Sequence, residues 1–158
     1  MEQPKIKMIG LLDIKGMEQI RRVYHPAGIA PTLTTCEGGQ RQVKVLDLDK
    51  FRVRKLSPVE YGRLQAFDMD SWVQVVSDSQ AYKQFGNAVT VSLFETIAQQ
   101  VKKAIGKQRP VVNDFFCGCG GMGTAFLKAG FDHGGAWDFD KYAILPKERT
   151  PKRHVGRY

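Results

Sequence analysis

No apolar run in this chain approaches the length of about 18 residues that a membrane-spanning helix needs. The N-terminal stretch is interrupted by Lys5, Lys7 and Asp13, so it lacks the apolar segment of an export signal. Both absences predict a cytoplasmic protein with no membrane partner. Cysteine is scarce, three residues in 158, and the odd count argues for reduced thiols rather than a disulfide framework. Cys117 and Cys119 form a C-x-C pair with His133 nearby. Glycines surround them where further ligands would be needed, so no metal site is expected. Acid is short relative to base: 16 Asp and Glu against 24 Lys and Arg, a net charge of +8. That balance favours an anionic partner, nucleic acid ahead of membrane, the alternative being a basic protein with no such partner. At 42% hydrophobic, 10% aromatic and 25% charged residues, the composition excludes global disorder and fits one modest domain. No internal repeat is present.

The most informative run is Val112-Asn113-Asp114-Phe115-Phe116-Cys117-Gly118-Cys119-Gly120-Gly121-Met122-Gly123. It reads as a buried strand, 111–116, that ends in a glycine-rich turn and opens into a helix from about Met122 to Lys128. Such a backbone lets a nucleotide-like cofactor lie against bare main chain at a helix N-terminus. Ala129-Gly130 ends that helix, and a second strand around 134–138 completes the beginning of a βαβ unit. Asp138 stands at its end, placed to hydrogen-bond ribose hydroxyls.

The first third, residues 1–54, reads as short strands and loops. Strand character spans Lys5 to Leu12, Gln19-Ile20-Arg21-Arg22-Val23-Tyr24, Val43-Lys44-Val45-Leu46 and Phe51-Arg52-Val53. Ser57-Pro58-Val59-Glu60 is a capping box with proline at the first helical position, and Leu56 and Tyr61 stand where a hydrophobic staple would place them. This helix is predicted to run to about Phe67. A short helix over Ser79–Phe85 is expected to break at Gly86-Asn87. Ala88 to Ile105 reads as a longer amphipathic helix, with Val89, Leu93, Ile97, Val101 and Ile105 at i, i+4 spacing and Gly106 as its stop. The tail 145–158 is basic, broken by Pro146 and Pro151, and predicted to be disordered.

Several linked blocks together resemble the DNA (cytosine-5) methyltransferases, over about residues 19–143. Asp114 to Gly121 resembles motif I of that family, and Trp137-Asp138-Phe139-Asp140-Lys141-Tyr142-Ala143 resembles motif II. Arg54 to Phe67 resembles motif IX, and Ser79-Gln80-Ala81-Tyr82-Lys83-Gln84-Phe85-Gly86-Asn87-Ala88-Val89 resembles motif X closely. Gln19 to Gly39 looks like the end of the target-recognition domain. The order differs from the usual one. Motifs IX and X precede I and II, a circular permutation in which a short linker, 106–110, joins the motif X helix to the motif I strand.

The resemblance implies an α/β chain: a partial Rossmann-like methyltransferase fold bound to S-adenosylmethionine (SAM), carrying the end of a small β-rich target-recognition domain. It divides the chain into the recognition-domain end (1–54), the motif IX and X helices (55–106), the SAM-binding βαβ start (107–144) and the tail (145–158). Phe116, Gly118, Cys119, Gly120 and Gly121 match the cofactor turn, and Asn87 and Ala88 the segment that closes over it. Asp138 matches the ribose-binding acid and Phe139 an aromatic that flanks adenine. The alternatives are a helix N-cap for Asp138, a core position for Phe139 and a left-handed helix end for Asn87. Gln19, Thr32 and Thr34 match positions near a cytosine turned out of the duplex, with Gly38 and Gly39 letting the loop approach DNA. The alternative there is a plain solvent-exposed loop. Arg21, Arg22, Arg41, Lys44, Arg52, Arg54 and Lys55 form a basic set suited to phosphate contact, the alternative for any one of them being a merely solvated face. Glu60 and Arg63 are read as structural, one capping and one pairing.

The chemistry of the family needs a thiolate from a Pro-Cys dipeptide to attack cytosine C6. No Pro-Cys occurs here: Cys36 follows Thr35, Cys117 follows Phe116 and Cys119 follows Gly118. The Glu-Asn-Val and Gln-x-Arg-x-Arg motifs are absent too. The expectation is therefore part of a DNA (cytosine-5) methyltransferase, inactive alone. It would be a subunit of a split enzyme or a truncated product, working on double-stranded DNA with a complementing chain that carries the missing motifs. The alternative is a non-catalytic nucleic-acid-binding module that kept the fold. A neighbouring reading frame with Pro-Cys would decide for the split enzyme.

Overall fold

A computed structural model describes residues 4–37, 40–106 and 108–143. The tail from Ile144 onward, Gly38-Gly39 and Lys107 lie outside the described residues. The chain is mixed α/β. Its first part builds a four-stranded sheet in the order β1 (Met8–Leu11), β2 (Arg22–Tyr24), β3 (Lys44–Asp47), β4 (Arg52–Lys55). β1 and β2 are antiparallel, β2 and β3 parallel, and β3 and β4 antiparallel, with Val45 opposite Arg54 and Leu46 opposite Val53.

The strand expected over Gln19–Tyr24 is a correction: a short helix α1 (Glu18–Arg21) replaces its first half, and only Arg22–Tyr24 is extended. The cause is local. Gly16 turns the chain at φ +137°, a conformation open to glycine, and a Cβ there would strike the Ile20 side chain. Arg22 then reaches back one turn to Glu18 Oε1 at 2.8 Å, an i, i+4 pair that only a helical turn allows. β1 is also shorter than the Lys5–Leu12 stretch.

Helix α2 (Pro58–Leu64) starts as its sequence dictates. Ser57 Oγ accepts from the Glu60 amide, and the Glu60 carboxylate accepts from the Ser57 amide at 2.7 Å. Such a cap contributes about 1 kcal/mol. Leu56 and Tyr61, the staple pair, are both buried. The helix stops before the expected Phe67, because Ala66 adopts φ +60° and turns the chain. α3 (Asp78–Asn87) is longer than expected and runs through Gly86; Asn87 is helical and Ala88 extended, so Asn87 is not a left-handed stop. α4 (Val91–Ile105) begins three residues later than expected and ends at Gly106, which is left-handed at φ +69°.

The second part is a parallel pair, β5 (Val111–Phe115) and β6 (Asp132–Trp137), joined by α5 (Gly121–Lys128). α5 packs on both strands and against α4. Lys102 of α4 donates to the Ala129 and Gly130 carbonyls at the end of α5, at 3.2 and 3.0 Å, a cation placed at a helix C-terminus.

One core cluster joins the parts. Cys36, Val43, Leu56, Tyr61, Met69, Ala81, Tyr82, Phe85 and Cys119 are buried together. The Tyr61 hydroxyl accepts from the Val43 amide at 3.0 Å and meets Cys36 Sγ at 3.4 Å; burial and that thiol push its acidity far below an ordinary tyrosine's. Lys44, expected on a phosphate-facing surface, is instead buried. Its ammonium donates to the Ile20, Gln40 and Gln42 carbonyls, and burial, then Lys55, lowers its pKa.

Candidate functional site

A cavity of about 420 Å³ opens where α3, the glycine turn after β5 and the segment after β6 meet. It gathers three sequence blocks distant from one another. Asn87 and Ala88 come from the end of α3, Phe116, Gly118, Cys119 and Gly121 from the turn, and Asp138 and Phe139 from beyond β6. Gly120 does not line it; it stands at the N-cap of α5 with φ +85°.

Backbone geometry builds the turn. Phe116 and Gly118 take φ +59° and +51°, and a Cβ on Gly118 would meet nothing within 4 Å, so bare main chain faces open space there. A Cβ on Gly121 would press on the Val89 carbonyl and the Phe67 ring, both at 3.1 Å. Gly121 is thus needed for α5 to pack under the residues that follow α3. Asp114 is buried at the end of β5, and its carboxylate accepts from the Gly123 amide at 2.9 Å, fixing a negative charge at the α5 N-terminus.

Asp138 clamps the turn from the other side. One carboxylate oxygen accepts from the Gly118 amide at 2.7 Å and the other from the Asp140 amide at 2.8 Å. It caps a turn, not a helix. A carboxylate has about four lone-pair sites, so this leaves acceptor capacity toward the cavity. Phe139 is 89% exposed and is no core residue; its ring meets Phe116 edge-on at 6.3 Å, and the two form an aromatic rim. Cys119 turns its thiol toward the Gln84 carbonyl, joining the turn to α3.

A second, open cleft of about 580 Å³ lies on the four-stranded sheet part. It brings together Gln19, Thr32 and Thr34, with Arg22 and Arg41 beside them and Ile6, Met8 and Met17 on its apolar side. Arg21 does not line it: its Nε donates to the Leu12 carbonyl at 2.8 Å. Arg54 is committed to Glu60 through two bonds of 2.9 and 2.8 Å. Burial alone would raise the Glu60 carboxyl, but Arg54 and Ser57 together bring it below its ordinary value. Glu60 therefore both caps and pairs, while Arg63 reaches exposed Asp70 at 3.3 Å.

The description C-5 cytosine-specific DNA methylase is that of a family model that matches residues 9–103. The chain belongs to this family. It is 33% identical over 143 residues to the orphan methyltransferase M.SPBetaI of Bacillus phage SPbeta, covering 60% of this chain and 32% of that protein. It is 35% identical over 102 residues to the type II methyltransferase M.HhaI of Haemophilus parahaemolyticus, 65% of this chain and 30% of that one. A shorter stretch of 52 residues is 52% identical to M.NlaX of Neisseria lactamica, 33% of this chain and 16% of that one. The chain thus spans about a third of the length of the first relatives it matches. C-5 cytosine methyltransferases take their methyl group from SAM and act on double-stranded DNA.

Within this chain the matched span reaches from β1 nearly to the end of α4 and stops before β5. Sequence reasoning missed the rest of the α3 wall: Gln80, Lys83 and Gln84 line the cavity with Asn87. Their signal was available, since positions 80, 83, 84 and 87 repeat as one helical face. Among the described residues no group of three His, Cys, Asp or Glu side chains is arranged to hold a metal, and no helix is long and apolar enough to cross a membrane.

Proposed function

We propose that these 158 residues carry the SAM site and one DNA-facing edge of a DNA (cytosine-5) methyltransferase, in circularly permuted order, and that the nucleophile is supplied from outside them. The observation that carries this reading is the cavity itself, where residues of motifs X, I and II meet although they are scattered over the sequence. Its volume falls within the range of small-molecule sites. β5–α5–β6 is then the beginning of a Rossmann-like parallel sheet, and the four-stranded part is the end of a recognition domain.

SAM, when bound, supplies an electrophilic methyl group. Asp138 would hold the ribose hydroxyls, and Phe116 and Phe139 would flank the adenine. Gly118 would admit the ligand to the backbone, with Cys119, Gly121, Asn87 and Ala88 closing the wall. Gln19, Thr32 and Thr34, joined by Arg22 and Arg41, would face the DNA. None of the three cysteines is a candidate nucleophile: all are buried, and Cys36 is tied to Tyr61. The thiol would come from a Pro-Cys segment carried elsewhere with the Glu-Asn-Val and Gln-x-Arg-x-Arg motifs.

Calorimetry with SAM and tritiated-methyl transfer to duplex DNA test this together. The expected result is binding without transfer by the pure chain, and transfer to cytosine once a polypeptide bearing the missing motifs is added. Methylation by the pure chain would refute the external nucleophile, and absence of SAM binding would refute the cofactor site.

A further inference from the structure

The cavity wall formed by α3 presents Gln80, Lys83, Gln84 and Asn87 on one helical face, while Ala81, Tyr82 and Phe85 of the other face are buried in the core. The wall therefore cannot rotate; only its side chains can. Among the described residues lining the cavity, Lys83 is the single Lys or Arg, whereas Asp114, Asp138 and Asp140 contribute three carboxylates. The acids come from β5 and the segment after β6, and the cation from α3. A ligand seated there meets acceptors from one set of elements and an ammonium from another.

Lys83 is engaged elsewhere. Its Nζ lies 3.2 Å from Glu37 Oε1, and the two side chains are 41% and 59% exposed. Glu37 belongs to the loop that carries Thr32 and Thr34 into the second cleft. That loop is held against α3 independently, because Gly86 lies directly under the Thr34–Thr35 backbone. The ion pair is thus not what docks the loop. An exposed pair of this kind is weak and salt-screened, and a Lys side chain has rotamers enough to change partner.

We infer that the Lys83 ammonium binds the carboxylate at the amino-acid end of the cavity's ligand, and that it gives up Glu37 to do so. This rests on the reading of the cavity as a SAM site and adds a group to it. Exchange of partners makes the two clefts interdependent, because binding in the cavity releases Glu37 on the DNA-facing loop.

The test uses SAM and decarboxylated SAM, which differ only in that carboxylate, with binding measured by calorimetry. Lys83→Met is expected to weaken SAM binding about two- to fivefold and to leave decarboxylated SAM unchanged, the range for a partly exposed charge contact. Lys83→Arg retains SAM binding. Glu37→Gln removes the competitor and tightens SAM about two- to fivefold, with no effect on decarboxylated SAM. Unchanged binding of decarboxylated SAM also shows that each variant is folded. Equal losses for both ligands in Lys83→Met, loss for neither, or an unchanged SAM affinity in Glu37→Gln would overturn the inference alone. Failure of the unaltered chain to bind either ligand would overturn the cofactor reading and this inference with it.

Discussion

Replacing Gly86 by alanine sets two opposed effects against each other, and their sizes decide the sign. Gly86 is inside α3 with helical geometry, where alanine is favoured over glycine by about 1 kcal/mol. The new Cβ, however, would lie 2.4 Å from the Thr34 carbonyl oxygen, 2.5 Å from its carbon and 2.6 Å from the Thr35 nitrogen. All three are main-chain atoms, so no side-chain rotation relieves the overlap. Nor can the loop retreat cheaply, since Cys36 is buried against Tyr61. Overpacking of this kind costs about 1–3 kcal/mol, and rigid neighbours place this site at the upper end. Subtracting the helix gain leaves a net loss of about 1–2 kcal/mol, which for a chain of this size lowers Tm by about 2–8 °C. Thermal unfolding measures the net effect. Amide exchange should show lost protection around Thr35–Glu37 and at the end of α3, and little change in β5–α5–β6. A Tm that rises would mean that helix propensity wins and that the contact with Thr34 is looser than described.

Three further outcomes are expected. Glu60 has a folded-state pKa below the ordinary 4.5, so its contribution to stability is complete above that pH and is lost as pH falls through the folded value; Glu60→Gln should flatten the acid limb of a stability–pH curve, and an unchanged limb would remove Glu60 from the account. Asp138→Ala should weaken SAM binding by about 1.5–3 kcal/mol and loosen the turn at Gly118, the latter seen by amide exchange of the Gly118 N–H; unaltered affinity in calorimetry would dismiss Asp138 as a ribose ligand. Leu93, Ile97 and Val101 form an exposed apolar stripe on α4, at 59%, 43% and 36% exposure, so Leu93→Gln with Ile97→Gln should reduce self-association in sedimentation while changing stability by less than about 1 kcal/mol; association that persists would place the sticky surface elsewhere.

Local rules were readable where the interaction is local. The Ser57–Glu60 box, the staple of Leu56 on Tyr61 and the Gly106 stop each involve residues within one turn, and all are present. The glycine turn between strand and helix was legible for the same reason. The failures are of two kinds, one local and the other long-range. Gln19–Tyr24 has strand-like composition, yet the first half is helical because Gly16 and Glu18 act on Ile20 and Arg22. Lys44 carries no mark of burial in its neighbours; it is buried because carbonyls from α1 and from residues 40 and 42 converge on it. The cavity was legible through its glycines, its aspartate and Asn87 and Ala88 at the end of α3; the face that adds residues 80, 83 and 84 is visible in their helical spacing, but not which element it meets. Residues 80, 83 and 84 acquire a role only once α3 is laid beside the turn after β5.

That juxtaposition also bears on chain order. The region from α3 to α5 is held by contacts between elements: Val91 and Ala98 of α4 are buried, α4 lies along α5, Lys102 closes the end of α5, and Cys119 reaches Gln84. Gly106 reverses direction, the Pro110 carbonyl accepts from the Asp132 amide at 2.8 Å, and Arg109 pairs with Asp132 on the surface. None of the interior contacts depends on which element is synthesised first, so placing the α3–α4 block before β5 asks only for a short link between ends that already lie close. Closing a short loop carries a small entropy cost compared with the apolar surface that α4 and α5 bury against each other. A permuted order of the kind proposed would therefore leave the cavity's geometry intact.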